Sequence, residues 1–432
     1  VITRATIADS KQEEDLGTQE AKAMTTFRAF SIRLLLQFFP ALLLPLALTT
    51  NSRAEPSADP VVIGVISDMS GVYADFNGQG LVTAAEMAVH EMGGKVLGRP
   101  IKVLSFDPQE RPENATGAVR KWIDQEHASM VMEGTTSAIA VAIQKVAQEK
   151  KTIFFAFSGT AALTNDDCSP YGIQYVWNNY AMAHGVGAAE TKPGDKWFFV
   201  TADYTFGKTL EAEAQKVVEA AGGKVVGSVR HPLGVADFSS YLLQAQTAGA
   251  NVVGLADAGR DTQNAIRQAA EFGLQNSGVR IQPLVLFDTD IRGIGLQTAQ
   301  KLQYLTGFYW DRDEKSRAWS HAFFDLQKSM PTMNQAGAYS ATLNFLKAVE
   351  KAGTLDADKV RAALKETPVS DAFTQTGIVR DNGSMAHDMF LMEIKSPAES
   401  KDKWDIARVV RTLPAAEIFQ PLETSTCKFL TR

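Results

Sequence analysis

Two cysteines in 432 residues are too few for a thiolate metal cluster or a small disulfide-knit scaffold. Histidine is nearly as sparse. His90, His127, His184, His231, His321 and His387 form no H-E-x-x-H and no i, i+4 pair, so each reads as a surface or satisfied core residue, and no metal is expected. No cluster of Lys and Arg breaks the formal charge of −6, which removes the electrostatic footprint of a nucleic-acid binder. Motifs for chemistry are missing too. Phe157-Ser158-Gly159-Thr160 lacks the preceding Gly of a nucleophile elbow. Residues 202–209, ADYTFGKT, have Ala202 where a phosphate loop needs its first Gly, and Tyr204 and Phe206 fill what should be bare backbone. Gly78-Gln79-Gly80 lacks the third Gly of a dinucleotide fingerprint. The expectation is a protein that is not an enzyme and carries no cofactor.

What is present is ordinary globular composition, 45% hydrophobic and 21% charged, with length enough for two domains and an ample core. Residues 24–54 read as an export signal. Arg28 and Arg33 precede an apolar stretch from Leu34 to about Leu48, and Ser52-Arg53-Ala54 is a small-x-small cleavage site. The stretch is interrupted by Gln37 and two prolines and falls short of the roughly 20 apolar residues of a membrane span. Cleavage near Ala54 and delivery to the periplasm are expected, and residues 1–23, polar ahead of Met24, read as an over-extended start. In an oxidising compartment Cys168 and Cys427 are expected to form one disulfide, tying the C-terminal tail to a loop.

The chain repeats its plan. Residues 61–98 run from an apolar stretch ending in Asp68, through a Gly/aromatic loop and a helical stretch, to GGKV-x-G. From residue 196 the order recurs, with Asp203 ending the apolar stretch and a second GGKV-x-G closing it. Strand and helix patterns alternate after each copy, up to TIFFAFSGT (152–160) and IQPLVLFD (281–288). The fold class expected is α/β, with two doubly wound parallel-sheet lobes joined by about three hinge crossovers. Lobe one is expected over 60–178 and 309–372, lobe two over 179–308 and 373–414, and a tail over 415–432. Tyr175–Trp177 reads as a short crossing strand, Leu305–Tyr309 as a strand returning to lobe one, and Asp381-Asn382-Gly383 as a hairpin turn.

Ligands of such sheets sit beyond the carboxyl ends of the strands. There lobe one offers Tyr73, Phe76, Thr135, Thr136, Ser137, Ser158, Gly159 and Thr160, and lobe two offers Tyr204, Phe206, Asp257, Ala258 and Asp288. Hydroxyls and free amides at helix N-termini suit a carboxylate, and aromatics from both lobes suit an apolar body. The bland alternative is that Thr135–Ser137 and Ser158 only cap helices and that the aromatics are loop packing.

On these residues the chain resembles the solute-binding proteins of ABC transporters, the type I periplasmic binding proteins of the leucine/isoleucine/valine-binding family. The likeness covers about residues 60–413. It rests on Asp68-Met69-Ser70-Gly71, Gly134-Thr135-Thr136-Ser137, Ser158-Gly159-Thr160, Asp203-Tyr204-Thr205-Phe206-Gly207 and Ala269-x-Glu271-Phe272-Gly273-Leu274. The resemblance implies a monomer that captures a small carboxylate between its lobes and delivers it to an inner-membrane permease. It implies that Thr136, Ser137, Gly159 and Thr160 grip the carboxylate while Phe76, Tyr204 and Phe206 shape the pocket. Asp257 is the nearest candidate for an amino acid's ammonium, although it does not align cleanly with that position. Trp177 and Tyr180 at the crossover suit an aromatic acid instead.

Overall fold

The computed structural model describes residues 59–430; the expected export segment and the stretch before it lie outside them. The first sheet contains β1 (Val61–Ser67), β2 (Lys95–Val96), β3 (Arg99–Phe106), β4 (Ala128–Gly134), β5 (Ile153–Ala156) and β6 (Gly172–Gln174), in the order β2-β3-β1-β4-β5-β6. All pairs are parallel except the β2 edge. β1 is buried at every position, which is what an almost wholly apolar run demands of a central strand covered on both faces. One face packs on helices Pro112–Glu126 and Ser137–Lys150 through Val62, Ile66, Trp122 and Phe154. The other face is covered by helices Gly78–Glu91 and Met333–Ala352, which lie against each other. Met333–Ala352 opens on a Thr332/Gln335 capping box. The Thr332 hydroxyl also donates to the Phe76 carbonyl at 2.8 Å, joining this helix to the loop after β1.

The second sheet holds β7 (Lys196–Ala202), β8 (Lys224–His231), β9 (Val252–Ala256) and β10 (Arg280–Pro283) in the order β10-β9-β7-β8, again parallel throughout. The repeated plan thus yields two parallel lobes, as expected.

The remaining strands differ from expectation. β11 (Gln303–Thr306) does not return to the first sheet. A two-stranded hairpin comes next, β12 (Ile378–Val379) with β13 (Met385–Ala386), followed by β14 (Met389–Ile394) and β15 (Ala407–Leu413). β11 pairs antiparallel with β14, and β14 with β15, in a third sheet. Gln282 Nε2 donates to the Gln303 carbonyl at 3.1 Å, linking this sheet to β10. Apolar pattern identifies a strand but not its partner, which depends on distant residues. The hairpin turn is where Asp381-Asn382-Gly383 put it, with Gly383 at φ 86°. It lies beside β6, where Gln174 N–H donates to the Gly383 carbonyl at 2.8 Å.

Cys168 and Cys427 are bonded, with Cα atoms 5.6 Å apart. Around them Thr426 N–H donates to Asn165 Oδ1 and Ser425 Oγ to the Thr164 carbonyl, so the tail is laid along lobe one. Among the described residues no helix is long and apolar enough to cross a membrane.

Candidate functional site: the cleft between the lobes

Two buried carboxylates shape the lobe-one wall. Asp68, at the end of β1, accepts the N–H groups of Ser70 (3.2 Å), Gly71 (2.6 Å) and Tyr73 (2.8 Å). Those bonds fold the loop that carries Tyr73 and Phe76. A Cβ at Gly71 would come within 2.7 Å of Asp68 Oδ2, so the loop can wrap the carboxylate only with glycine there. Glu133, near the end of β4, accepts Thr135 N–H (2.9 Å), Thr135 Oγ1 (2.8 Å) and Ser158 N–H (3.2 Å). It ties the loops after β4 and β5 into one surface. Burial pushes its pKa up to about 7 against the pull of those donors. Sequence reasoning missed Glu133. The available signal was a glutamate in an otherwise apolar strand, which is rarely fully buried without a partner.

Most hydroxyls beyond these strands are spent within lobe one, Thr135 Oγ1 on Glu133 and Ser158 Oγ on the Thr135 carbonyl at 3.1 Å. Thr136 is the N-cap residue of helix Ser137–Lys150, but its side chain makes no capping bond. Ser137 Oγ is buried without a partner. The first N–H groups of a helix likewise lack partners within it, so the free donors at this end of lobe one are Ser137 Oγ and the helix's opening amides.

Lobe two meets lobe one directly. Tyr73 and Tyr204 hydrogen-bond through their hydroxyls. Phe76 stacks on Phe287 with centroids 3.9 Å apart. Arg260 N–H donates to the Val72 carbonyl at 3.3 Å, and its side chain lies 3.6 Å from Asp75. The cleft is closed.

Trp177 enters from the crossover. The expected strand over Tyr175–Trp177 is instead a tight turn: Trp177 N–H donates to the Tyr175 carbonyl at 3.0 Å around Val176, at φ 75°. A β-branched residue in that region costs on the order of 1–3 kcal/mol and persists only when its surroundings hold it. Val176 is fully buried, and its carbonyl lies 2.6 Å from His387 Nε2. The turn ends the extended run, while the Trp177 indole N–H donates to Asn334 Oδ1 at 2.9 Å.

The enclosed space is lined by Tyr73, Phe76, Asn77, Thr135, Ser137, Phe157, Ser158, Gly159, Trp177, Tyr204, Phe206 and Ala258. Asn77 and Phe157 were not anticipated; both adjoin residues that were. Five expected residues lie elsewhere. Thr136 is beside the space but does not line it. The Thr160 hydroxyl accepts Ala162 N–H at 3.4 Å and caps the next turn. Tyr180 stacks on His184, centroids 3.8 Å apart, in a separate groove with Glu213. Asp288 accepts the Tyr304 hydroxyl at 2.7 Å, and burial raises its pKa to about 6. Asp257 accepts Thr262 Oγ1 at 2.5 Å and lies 3.4 Å from His231 Nε2. Burial disfavours the His231 imidazolium, but Asp257 outweighs it and the pKa rises. Asp257 is therefore committed to its own lobe and does not face the cleft.

Two lobes meeting around a space lined by aromatic rings and hydroxyls define a ligand-binding protein of the periplasmic type. Residues 60–402 match the family model described as periplasmic binding protein, and the chain belongs to that family. It is similar to a periplasmic binding protein from Burkholderia mallei, 44% identical over 86% of this chain and 100% of that one, with TM-score 0.84. A branched chain amino acid ABC transporter periplasmic ligand-binding protein from Burkholderia xenovorans LB400 is 36% identical over 85% and 99% of the two chains, TM-score 0.77. The Leu/Ile/Val-binding protein homolog 6 of Brucella melitensis is 23% identical over 240 residues, 55% of this chain; the match spans 61% of that protein.

Proposed function

We propose that the protein is the periplasmic substrate-binding component of an ABC importer, and that its ligand is a small monocarboxylate with an apolar or aromatic body and no ammonium group. The observation that carries this reading is the chamber's lining: Tyr73, Phe76, Phe157, Trp177, Tyr204 and Phe206 beside Thr135, Ser137 and Ser158, with no acidic side chain among the lining residues. An ammonium buried there would lack a counter-charge, and burying an unpaired charge is costly. A carboxylate would meet Ser137 Oγ and the open N-terminus of helix Ser137–Lys150, where the helix dipole favours an anion. Rings from both lobes then enclose the body. In this mechanism the ligand binds the open form on lobe one, and lobe two closes over it about the crossover segments. The ligand shifts the population to the closed form, which a membrane permease recognises.

A branched-chain amino acid is the second reading, favoured by the names of the relatives from Burkholderia xenovorans and Brucella melitensis. Titration calorimetry with benzoate, 4-hydroxybenzoate and leucine on the protein from Glu55 onward separates the two. Binding of either benzoate with no heat from leucine is expected; leucine binding alone sinks the first reading.

A further inference from the structure

The start of helix Met333–Ala352 reaches across the sequence to one short segment. Besides the bond from Thr332 to the Phe76 carbonyl, Gln335 Nε2 donates to the Asn77 carbonyl at 3.2 Å and Asn334 Nδ2 to Asn77 Oδ1 at 2.8 Å. Asn334 and Asn77 are both buried. Asn77 is the N-cap residue of helix Gly78–Glu91, a place where asparagine commonly spends its oxygen on the helix, yet its side chain makes no capping bond. Gly134, at the end of β4, makes room for the carboxamide: a Cβ there would lie 2.9 Å from Asn77 Cγ. The carboxamide therefore sits against the last residue of β4, just ahead of Thr135–Ser137.

The direction of this chain of bonds is fixed at its far end. The Trp177 indole N–H donates to Asn334 Oδ1, and an indole nitrogen can only donate. Asn334 must therefore give that bond its oxygen, which leaves its NH2 for Asn77. Asn77 in turn must meet the NH2 with its own oxygen. With the oxygen held in this way, the group that Asn77 turns to the enclosed space it lines is its NH2. Among the described residues that nitrogen meets no acceptor, and it is not one of the atoms sealed from water without a partner. A relay that starts from an obligatory donor thus ends in a free one.

We propose that Asn77 is a ligand-binding residue whose NH2 donates to a carboxylate oxygen of the ligand, and that Asn334 is the positioning residue that turns it that way. Beside Gly134 the NH2 joins Ser137 Oγ and the opening amides of helix Ser137–Lys150 as a neutral donor to the same anion. An acceptor at this point completes the relay, whereas an ammonium would set donor against donor. The inference deepens the reading of the cleft as a carboxylate site and rests on that reading. It also gives Trp177 a second part: its ring lines the space, while its N–H, by way of Asn334, sets what Asn77 offers.

The test takes benzoate as its probe. Asn77→Leu removes the donor at similar volume, and the calorimetric Kd should weaken by about tenfold or more, the worth of a hydrogen bond to a charged group. Asn334→Leu leaves the Asn77 carboxamide free to turn and should weaken binding by about twofold to tenfold. The deciding readout is NMR of the side-chain amides in protein carrying isotope-labelled asparagine, which a merely structural Asn77 would not move. On benzoate addition to the wild type, the Asn77 signal, assigned by its loss in N77L, should move downfield. The Asn334 signal, assigned by its loss in N334L, should stay nearly in place, and in N334L the Asn77 response should shrink. Benzoate that binds the wild type while leaving the Asn77 signal unmoved overturns the proposal and spares the functional reading. So does N77L binding benzoate as tightly as the wild type. If leucine is the acid that binds, its carboxylate becomes the probe and the same signal decides. A wild type that binds none of benzoate, 4-hydroxybenzoate and leucine sinks the carboxylate reading and this donor with it. Should N77L not fold, the Asn77 amide is assigned through bonds from its own backbone, and the shift is read in the wild type.

Discussion

The hydroxyl pair of Tyr73 and Tyr204 gives the sharpest prediction about closure, because it exists only when the lobes meet. In the open form water satisfies both phenols. In the closed form the two hydroxyls meet in a part-buried contact, so replacing one with Phe leaves the other without its partner. The bond itself is worth about 0.5–1.5 kcal/mol, and a stranded buried hydroxyl costs about 1–3 kcal/mol. A single variant, Tyr73→Phe or Tyr204→Phe, should therefore disfavour closure by about 2 kcal/mol. Since binding draws on the closed form, ligand affinity should drop about thirtyfold. The double variant strands nothing and should be no weaker than either single one, a coupling of about 2 kcal/mol or more in the cycle. Calorimetric Kd values for the four proteins at one pH measure it. Additive losses, or singles with unchanged affinity, would refute the reasoning, the first by making the phenols independent ligand contacts.

Two further outcomes follow from the structure. Cys168→Ser should lower unfolding stability by about 5 kcal/mol in the chain-entropy model, because the bond closes a separation of 259 residues; urea titration with and without reductant checks it. Asp257→Asn should cost about 3 kcal/mol of stability by stranding His231 in a buried site, while benzoate affinity stays within twofold. Tenfold weaker binding at unchanged stability would return Asp257 to the cleft.

The two lobes were legible because a repeated strand, loop and GGKV-x-G order leaves few topologies. The aromatic and hydroxyl lining was legible for a related reason: residues just past the ends of parallel strands must face one another when two such sheets meet. What pattern could not supply was direction. Asp257 and Ala258 are neighbours at the end of β9, yet Ala258 lines the cleft while Asp257 turns back to Thr262 and His231. Tyr180, three residues after Trp177, falls in another groove because the helix that opens at Asn179 turns the chain between them. The third sheet was missed since β15 is exposed everywhere but its two end positions, and since β11 finds its partner β14 only far along the chain. Glu133 carries no motif; its importance comes from being buried.

Helix Met333–Ala352 has a consequence for the order in which the molecule can be made. It covers one face of a sheet whose strands end at Gln174, and it is buried along nearly its whole length. When the first six strands have left the ribosome, that face has only helix Gly78–Glu91 on it, and the rest of its apolar side chains still lack their cover. β11 waits longer, for β14. A chain translated from its amino end thus completes the cover of its first sheet only after helix Met333–Ala352 has been made. In a family whose members are periplasmic, such late completion delays the native state of this lobe while the chain is still being made.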